Sequence, residues 1–419
     1  MDKYVVHHAD SLSGSVSVSG SKNAALPILA AVLLTQEPCT ITNLPPLSDV
    51  KSMLCLLQEA GLAYQYDETK ETLQTNGWKC NFDLSQSQAA GKLRASFLVA
   101  GALLGTCKEA VLPMPGGCPI GSRPIDLHLK GFRKLGAKVD VSGGIVTLRA
   151  KELKGTAIYL DFPSVGATEN ILLAAVSAKG KTVLENAAAE PEIVDLVRFL
   201  RKMGAHISGE GTATITIEGK SALCGAVHQI MPDRIEAGTL LIAGAITGGD
   251  ILIKGASVED LGPVIAKLRE CNVKIEEVAE GIHLTRKGRL RPVDLKTMPH
   301  PGFPTDLQAP FMSLLAVAKG TSVVTETVFE NRFLHVGELR RMGADIRIDS
   351  RSAVVEGVEE MKGAKVEATD LRAGAALMLA ALAAKGDTEI GDLGHIRRGY
   401  DHLEEKLCQL GAKIEKTEE

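Results

Sequence analysis

Four basic side chains stand at the starts of predicted helices that are otherwise rich in small apolar residues: Lys22, Arg94, Arg234 and Arg372. A cation at a helix N-terminus opposes the helix macrodipole, so this position is unfavourable for an unpartnered positive charge. An anion lying between the cation and the free backbone N–H groups would remove the conflict, because both would bind it. The pattern therefore indicates a substrate that carries phosphate or carboxylate groups.

The acidic side chains at the same helix starts have a second explanation. Ser, Thr, Asp and Asn accept hydrogen bonds from the first free N–H groups of a helix. Capping is sufficient to account for Asp233, Asp306 and Asp370. From the residues alone, a chemical role for these carboxylates stays open beside the structural one.

A loop rich in proline and glycine carries the most distinctive candidate nucleophile. It runs Met114-Pro-Gly-Gly-Cys118-Pro-Ile-Gly-Ser-Arg123-Pro-Ile-Asp126-Leu-His128. Proline and glycine favour an exposed, structured loop over a helix. The free N–H groups of the glycines and the nearby Arg123 favour the thiolate form of Cys118. A reactive cysteine and a bystander thiol both remain open, and no Walker or G-x-G-x-x-G pattern follows the Gly-Gly pair.

These residues recur regularly because one short phrase ends a predicted helix six times, at intervals of about 70 residues. A helix commonly stops on a residue at positive φ, where glycine is best and asparagine is the next best choice. The copies are Leu57-Gln-Glu-Ala-Gly61, Phe132-Arg-Lys-Leu-Gly136, Leu200-Arg-Lys-Met-Gly204, Leu268-Arg-Glu-Cys-Asn272, Leu339-Arg-Arg-Met-Gly343 and Leu407-Cys-Gln-Leu-Gly411. The chain is therefore predicted to contain six copies of one structural unit.

A second series of predicted helices, rich in small residues, runs in step with the first. These helices are predicted over 24–34, 95–104, 167–179, 237–247, 309–319 and 373–385, and five of them close on Gly105, Gly180, Gly248, Gly320 and Gly386. Most are followed by a β-branched run, and residues 137–148 alternate around a Ser-Gly-Gly turn, which is typical of a hairpin. The repeat therefore reads β-α-β-α-β-β, which predicts an α/β fold.

The last copy is truncated after Gly411, whereas the segments Tyr4-Val-Val and Ser15-Val-Ser-Val18 belong to no complete first copy. We infer that the N-terminal segment completes the sixth unit. Three units then form each half, giving one domain over 22–230, which carries the Cys118 loop, and a second over 231–419 plus 1–21.

Bulk composition limits the possible partners. A chain of 419 residues with 45% apolar residues is long enough for two sizeable cores. Its net charge of −4 argues against non-specific nucleic-acid binding. A signal peptide and a membrane span are not expected, because no apolar run approaches about 20 residues. The eight cysteines lack metal-ligand spacing, which favours free thiols in the cytoplasm, with neither metal nor cofactor.

Several motifs resemble those of the enolpyruvyl transferase family, in particular its UDP-N-acetylglucosamine branch. The motifs are Ser21-Lys22-Asn23-Ala-Ala-Leu-Pro, Pro115-Gly-Gly-Cys118-Pro-Ile-Gly-Ser-Arg-Pro-Ile-Asp126-Leu-His128, Ser164-Val-Gly-Ala-Thr, Pro232-Asp-Arg-Ile-Glu236, Phe303-Pro-Thr-Asp306, Thr327-Val-Phe-Glu-Asn-Arg-Phe333 and Arg398-Gly-Tyr400. The resemblance covers essentially the whole chain. It implies a two-domain inside-out α/β barrel with three repeats in each domain.

The resemblance also implies a reaction. The enolpyruvyl group of phosphoenolpyruvate would move to the 3′-hydroxyl of UDP-N-acetylglucosamine with release of phosphate, by addition and elimination through a tetrahedral intermediate. This is the first committed step of peptidoglycan synthesis, which serves cell-wall biogenesis, cell shape and cell division, and it is the step that fosfomycin blocks. The chemistry requires an acid for the methylene carbon, a base for the sugar hydroxyl and cations for the charged groups.

Site residues are implied by matching motif. Cys118 would be the general acid and Asp306 the base for the sugar hydroxyl, while Lys22, Arg123 and Arg398 would hold the phosphate of phosphoenolpyruvate. The residues implied to bind the two substrates are Asn23, Arg94, Arg123, Pro124, Ile125, Asp126, Leu127, His128, Ser164, Val165, Gly166, Val328, Arg332, Asp370 and Arg372.

Two positions depart from the family pattern. Phe162 stands where some members carry a lysine near the diphosphate, and Arg397 stands where an aspartate commonly precedes the matching arginine. Three rival functions remain: the sister enolpyruvyl transferase of aromatic biosynthesis, a paralogue that acts on another nucleotide in secondary metabolism, and a catalytically silent nucleotide-sugar sensor. The absence of a Gly-Asn-Ala-Gly-Thr stretch argues against the sister enzyme, and the presence of Cys118, Asp306 and Lys22 argues against the sensor.

Overall fold

The structure of this chain is a computed structural model that describes residues 2–116, 124–220 and 222–417. The described residues divide into two compact units. The N unit lies within residues 20–231, and the C unit combines residues 2–19 with residues 232–417. Each unit has its own continuous cluster of buried apolar residues.

Both units are built from short strands and helices. The strands are β1 (Lys3–Val6), β2 (Ser13–Ser17), β3 (Thr40–Thr42), β4 (Leu62–Asp67), β5 (Thr72–Trp78), β6 (Glu109–Pro113), β7 (Lys138–Ser142), β8 (Ile145–Arg149), β9 (Ala157–Tyr159), β10 (Lys181–Glu185), β11 (His206–Ser208), β12 (Thr214–Glu218), β13 (Val227–Gln229), β14 (Asp250–Lys254), β15 (Lys274–Val278), β16 (Gly281–Thr285), β17 (Leu295–Lys296), β18 (Thr321–Thr325), β19 (Asp345–Asp349), β20 (Ser352–Glu356), β21 (Lys365–Glu367), β22 (Thr388–Gly391) and β23 (Ile414–Thr417). The helices are α1 (Lys22–Ala31), α2 (Ser48–Glu59), α3 (Gln88–Lys92), α4 (Leu98–Cys107), α5 (Asp126–Lys134), α6 (Val165–Ala175), α7 (Pro191–Lys202), α8 (Arg234–Thr247), α9 (Val258–Glu270), α10 (Gln308–Leu315), α11 (Val336–Arg341), α12 (Leu371–Ala383), α13 (Leu393–Ile396) and α14 (Leu403–Gln409). Short 3-10 turns at Val32–Leu34, Arg94–Phe97 and Thr305–Leu307 adjoin α1, α4 and α10.

Small sheets enclose a centre of three helices in each unit. The N unit has the sheets β13-β3-β5-β4, β11-β12-β10-β9 and β6-β8-β7, and the C unit has β15-β16-β14-β2, β17-β18-β20-β19 and β21-β22-β1-β23. Helices α1, α4 and α6 pack against one another in the N unit, as do α8, α10 and α12 in the C unit. These six helices are almost entirely buried, which explains their small residues and their lack of a polar face. The predicted inside-out α/β arrangement is confirmed.

The repeated helix-ending phrase behaves as predicted. Its terminal residues Gly61, Gly136, Gly204, Gly343 and Gly411 have φ values between 91° and 100°, and Asn272 has φ 72°. Six chain reversals therefore use the left-handed conformation that glycine and asparagine adopt most readily. The hairpin predicted over 137–148 is also confirmed, as β7 and β8 with Gly143 and Gly144 at positive φ.

The N-terminal segment contributes to two sheets of the C unit. Strand β1 pairs antiparallel with both β22 and β23, which completes the sixth repeat as expected. For strand β2 the expectation is wrong, because it pairs parallel with β14, in the sheet of the fourth repeat.

Several helix limits differ from prediction. Helix α4 starts at Leu98, because Arg94–Phe97 forms a 3-10 turn, and it runs past Gly105 to a left-handed Lys108. Helices α6 and α10 end at Ala175 and Leu315, one turn early. Among the described residues, no helix is both long and apolar enough to cross a bilayer.

One expectation about the cysteines is wrong. Cys80 and Cys107 form a disulfide with an S–S distance of 1.99 Å, so these two are not free thiols. The bond joins the segment after β5 to the end of α4. Composition could not predict it, because neither cysteine belongs to a recognisable spacing pattern.

Candidate active site

A carboxylate shared by two guanidinium groups lies in the C unit. Asp306 Oδ1 accepts a hydrogen bond from Arg332 Nη2, and Asp306 Oδ2 accepts one from Arg372 Nη2, each at 2.8 Å. The arginine side chains are 4% and 2% exposed, whereas that of Asp306 is 25% exposed. Asp306 is therefore the member of the cluster that a substrate can reach directly.

Three structural features hold this cluster in place. Asp306 lies in the 3-10 turn after Pro304, where Thr305 Oγ1 donates to Glu326 Oε2 at 2.9 Å. Arg372 is in the first turn of α12, which Asp370 caps by accepting from the N–H groups of Arg372 and Ala373. The capping role expected for Asp370 is confirmed, and it also explains how the backbone delivers Arg372 to Asp306.

The cluster has more donor capacity than its one carboxylate uses. Arg332 Nε, Arg372 Nε and Arg372 Nη1 are buried and have no hydrogen-bond partner within the described residues. Burial opposes the charged form of Arg372, but Asp306, Tyr400 and Asp233 raise its pKa on balance. Because these donor nitrogens have no partner in the described part of the chain, the arrangement can receive a further group with acceptor oxygens.

An aromatic ring supports the Arg372 guanidinium from one side. Arg372 Cζ, the central carbon of the guanidinium, lies 5.0 Å from the centroid of the Tyr400 ring. Thr239 Oγ1 donates to Ile235 O at 2.8 Å, so the 3.0 Å contact with Tyr400 must have the tyrosine hydroxyl as donor. Tyr400 therefore fixes both the position of Arg372 and the side from which a ligand could approach.

The remaining predicted residues of the C unit lie on loops. Val328 is half-buried, and its N–H donates to Glu326 Oε1 at 2.8 Å. Arg398 is half-buried and follows α13. The departure at Arg397 has a structural explanation: its guanidinium pairs with Asp2 at 3.4 Å, which ties this loop to the segment preceding β1.

In the N unit, Lys22 forms a buried ion pair. Its Nζ lies 3.3 Å from Asp49 Oδ2, and the two side chains are 9% and 10% exposed. Lys22 is the first residue of α1, Asn23 is the second, and Ser21 caps the helix. The basic helix starts were expected to indicate a bound anion, but Lys22 and Arg372 each have a carboxylate partner within their own unit, so these two positions do not require one.

The nucleotide-binding candidates of the N unit meet at the starts of α5 and α6. Arg94 Nη2 donates to Pro124 O at 3.1 Å, next to Ile125 and the first turn of α5. That turn contains the exposed Asp126, the half-buried Leu127 and the buried His128. Facing it, Ser164 caps α6 by accepting from Ala167 N, and Val165 and Gly166 form the first turn.

The His128 ring lies against the start of α6. A Cβ atom added to Gly166 would be 3.3 Å from His128 Cε1 and 3.5 Å from Nε2. A side chain at position 166 would therefore crowd this edge of the ring. Burial, and secondarily Arg94, lowers the pKa of His128 to about 3. His128 is therefore a neutral hydrogen-bonding group at physiological pH.

Cys118 and Arg123 lie outside the described residues. Their roles stay predictions from the sequence.

Sequence reasoning missed three residues that support the site. Asp49 resembled an ordinary acid in the first turn of a helix, Glu326 followed a β-branched run, and Asn170 stood within a predicted helix. Only their burial, at 7%, 1% and 0% exposure, distinguishes them from surface polar residues. A polar residue on the buried face of a small-residue helix was the one available signal, and it applied to Asn170.

Comparisons with known proteins agree with this geometry. The family model described as EPSP synthase (3-phosphoshikimate 1-carboxyvinyltransferase) matches residues 6–407. The UDP-N-acetylglucosamine 1-carboxyvinyltransferase 1 of Caldanaerobacter subterraneus is 54% identical over 416 residues, covering 98% of this chain and 99% of that protein. The protein of the same name from Staphylococcus aureus strain RF122 is 51% identical over 418 residues, covering 99% of each.

Solved structures give the same answer at the level of fold. The enolpyruvyl transferase NikO from Streptomyces tendae has a TM-score of 0.87 and 28% identity, covering 99% of both chains. An EPSP synthase from Acinetobacter baumannii has a TM-score of 0.77 at 19% identity, covering 100% of both chains, which is a likeness of fold alone. On the family match and the relatives at 51–54% identity, this chain belongs to the EPSP synthase family of enolpyruvyl transferases.

Proposed function

We propose that this protein transfers the enolpyruvyl group of phosphoenolpyruvate to the 3′-hydroxyl of UDP-N-acetylglucosamine and releases phosphate, in the cytoplasm and without a cofactor. In this proposal the N-terminal catalytic domain spans 22–230, and the C-terminal domain spans 231–419 plus 1–21. The acceptor follows from the names of relatives that are more than half identical over nearly the whole chain.

The observation that carries the proposal is the Asp306 cluster. Phosphoenolpyruvate presents a carboxylate and a phosphate, and both are groups with acceptor oxygens only. Arg332 and Arg372 hold three buried nitrogen atoms without partners in the described part of the chain, beside a carboxylate that is accessible to solvent. A substrate oxygen that fills those donors would lie next to a carboxylate able to accept a hydroxyl proton.

The reaction requires proton transfers in both of its steps. In the addition step, the 3′-oxygen bonds to C2 of phosphoenolpyruvate, Asp306 accepts the hydroxyl proton, and Cys118 donates a proton to the methylene carbon, which becomes a methyl group. In the elimination step, the C2–O bond to phosphate breaks, the methyl group returns one proton to the Cys118 thiolate as the double bond re-forms, and Asp306 gives up its proton to the leaving phosphate. The net exchange is one hydrogen from the sugar hydroxyl for one enolpyruvyl group, so the atoms balance.

The other roles are electrostatic. Lys22, Arg123 and Arg398 hold the phosphate that leaves, and Arg372 with Arg332 serves the carboxylate. Fixed cations around groups whose charge shifts in the transition state need no reorganisation during the reaction. Asn23 and Val328 orient the sugar. The nucleotide contacts the groups around the starts of α5 and α6, which are Arg94, Pro124, Ile125, Asp126, Leu127, His128, Ser164, Val165 and Gly166.

A phosphate-release assay tests the proposal. Mixing the protein with phosphoenolpyruvate and UDP-N-acetylglucosamine should release phosphate, and omitting either substrate should prevent release. Fosfomycin should suppress the reaction by modifying Cys118. Cys118→Ala should lose both the modification and most turnover, whereas Cys118→Asp should keep some turnover because a carboxylic acid also protonates carbon.

Replacing the acceptor separates the rival functions. Release with shikimate 3-phosphate, and not with the nucleotide sugar, would assign the sister reaction. Binding of UDP-N-acetylglucosamine without phosphate release under any condition would indicate a sensor. Modification by fosfomycin at a cysteine other than Cys118 would overturn the assignment of the acid.

A further inference from the structure

Asn170, in the second turn of α6, uses its side chain entirely within the N unit. The residue is 0% exposed. Its Oδ1 accepts from Gly101 N at 2.8 Å, and its Nδ2 donates to Phe97 O at 2.8 Å. The same Nδ2 lies 3.0 Å from His128 Nδ1. No polar atom of this amide is available for substrate, so any effect that it has on binding must act through a neighbour.

The backbone fixes which end of the amide is which. Gly101 N can only donate, and Phe97 O can only accept. If the amide oxygen and nitrogen were exchanged, the NH₂ group would face the Gly101 N–H and the oxygen would face the Phe97 carbonyl. Neither hydrogen bond could then form, which is costly at a buried site. The remaining N–H of Asn170 therefore points at His128 Nδ1, which must be the bare, accepting nitrogen of the ring. The ring proton is consequently on Nε2.

The close approach of α4 and α6 allows the Asn170 side chain to reach the backbone of Phe97 and Gly101. Gly101 and Phe97 are four residues apart, so their N–H and C=O would pair with each other in an uninterrupted helix. The Asn170 amide also bonds to both of them, at the first turn of α4. A Cβ atom at Gly101 would lie 2.3 Å from both Asn170 O and Asn170 Oδ1, so the approach requires glycine at this position.

The protonated edge of His128 faces the predicted substrate side. His128 is 8% exposed, and its Nε2 has no hydrogen-bond partner in the described part of the chain. That edge lies against Gly166, in the first turn of the eleven-residue helix α6. Nε2–H, the first N–H groups of α6 and the guanidinium of Arg94 are all donors, so the group they fit is an anion with acceptor oxygens. The lowered pKa of His128 agrees with a neutral ring that donates through one nitrogen only.

We propose that Asn170 is a positioning residue that holds His128 as the neutral, Nε2-protonated tautomer, so that Nε2–H donates to a phosphate oxygen of the nucleotide diphosphate. The inference rests on the proposed function for the identity of the ligand. The tautomer itself rests only on contacts within the N unit.

The tautomer is measured directly by two-bond ¹H–¹⁵N correlation spectra of the whole protein labelled with ¹⁵N-histidine. His128→Gln identifies the His128 signals by their loss. We expect a bare-nitrogen resonance for Nδ1 and a protonated one for Nε2, unchanged from pH 8 to about pH 5. Asn170→Asp places an acceptor opposite Nδ1 and should move a proton onto that nitrogen. A wild-type spectrum with the proton on Nδ1 would overturn the proposal.

The use of Nε2–H is tested by calorimetric titration with UDP and with UDP-N-acetylglucosamine. A glutamine amide reaches the position of Nε2, whereas an asparagine amide reaches only that of Nδ1. His128→Asn should therefore weaken UDP binding about tenfold more than His128→Gln, the scale of one hydrogen bond to a charged group. Equal losses in the two variants would contradict donation from Nε2.

A double-mutant comparison separates positioning from a purely structural role. Asn170→Leu should weaken UDP binding several-fold when residue 128 is histidine, because the tautomer is no longer fixed. The same change in the His128→Gln background should add little, because an amide has no tautomer to fix. Equal costs in both backgrounds would assign Asn170 to packing alone. If Asn170→Leu does not fold, the wild-type spectrum and the two His128 variants still decide the question.

The outcomes distinguish this inference from the proposed function. The predicted tautomer without any binding of UDP compounds would show that the proposed function is wrong. Normal phosphate release together with a proton on Nδ1 would show that the function is right and the inference is wrong.

Discussion

The two units arrange buried charge differently. In the N unit, Lys22 and Asp49 form a buried ion pair at 3.3 Å, and the candidate substrate-binding residue His128 is neutral. In the C unit, one carboxylate accepts from two guanidiniums at 2.8 Å, and three of the guanidinium nitrogens have no partner among the residues described. The candidate donors of the N unit therefore include a neutral ring, whereas those of the C unit are buried guanidinium nitrogens that still lack an acceptor.

This difference indicates how the stability of each unit would depend on ionic strength and on a bound ligand. An exposed charge is screened within about 8–10 Å at physiological ionic strength, but a buried cluster is screened much less. The unpartnered guanidinium nitrogens of the C unit are costly to keep desolvated unless a group with acceptor oxygens joins them. A bound substrate carboxylate should therefore stabilise the C unit more than a bound nucleotide stabilises the N unit.

The largest effect is expected from removing the shared carboxylate. Asp306→Asn removes the carboxylate that is hydrogen-bonded to both buried guanidiniums, so we expect the free energy of unfolding to fall by about 3 kcal/mol. The proposed base is also lost, and kcat should fall about 1,000-fold. Urea denaturation and phosphate release measure the two effects. Asp345→Asn, which removes an exposed partner of Arg347, is the control and should change neither quantity appreciably. A kcat within threefold of wild type would exclude Asp306 as the base.

The next effect tests whether the N-unit pair is catalytic or only structural. Lys22→Ala should weaken phosphoenolpyruvate binding by roughly 2–5 kcal/mol, the scale for removing one partner of a desolvated charge pair. Asp49→Asn should lower the free energy of unfolding by about as much as Lys22→Ala does. It should leave the KM for phosphoenolpyruvate within about threefold of wild type, because Lys22 keeps its charge. The measurements are steady-state kinetics and urea denaturation on both variants. Equal losses of substrate affinity would mean that Lys22 acts only through its pairing with Asp49.

A smaller effect is expected on the free energy of unfolding as pH falls, and it can be compared for one buried histidine from each unit. Burial, with Arg94, lowers the pKa of His128 to about 3, and burial, with Arg332, lowers that of His335 to about 4 although Asp370 opposes it. An unfolded histidine titrates near about 6.5, so below that pH the unfolded chain binds protons that the folded chain does not. Stability should then fall with pH, with a slope approaching about 1.4 kcal/mol per pH unit for each histidine.

The measurement is the difference between each His→Gln variant and the wild type in urea denaturation at pH 7 and about pH 5. Each variant should lose less stability than the wild type over this interval. The difference is needed because burial raises the pKa of Glu236 to about 7, and this carboxyl favours the folded state as pH falls. A variant whose pH dependence matches that of the wild type would show that its histidine is protonated in the folded protein.

The smallest effect concerns the support of Arg372. Tyr400→Phe removes the hydrogen bond to Thr239 but keeps the ring beneath the guanidinium, so the loss of stability should be about 1 kcal/mol. Tyr400→Leu also removes the cation–π contact and should cost about 1–2 kcal/mol more, with a larger fall in kcat. Equal losses in the two variants would show that the ring contributes nothing to holding Arg372.

Local chemistry made the fold predictable from the sequence. The six phrases ending in Gly or Asn gave six reversals because a left-handed residue has few chemical alternatives. Helix limits were less accurate, even where a glycine was expected to close the helix: α4 runs past Gly105, and α6 and α10 end one turn early. At the start of α4, the Asn170 amide bonds to both Phe97 and Gly101, and such a distant contact cannot be predicted from the local sequence.

The candidate site was predictable only as a set of residues. Position along the chain located Lys22, Asp306 and Arg372 at helix starts, but it did not reveal their partners. Asp49 and Asp306 reach their cations through tertiary packing, across 27 residues from Lys22 in one case and 66 residues from Arg372 in the other. Spacing along the chain carries no information about such contacts. For that reason the sequence did not reveal that Lys22 and Arg372 each pair with a carboxylate of the protein itself.

Strand β1 has a consequence for the order in which the polypeptide matures. It is synthesised before every other described strand, whereas its neighbours β22 and β23 are the last two described strands, and the side chains of His7 and Asp387 meet across 380 positions. The described strands of the N unit are translated in the interval, so that unit can fold during synthesis. Until β22 and β23 have been made, β1 lacks its partners, and an unpaired strand can pair with other chains. A nascent chain of this protein should therefore depend on chaperones until β23 is available.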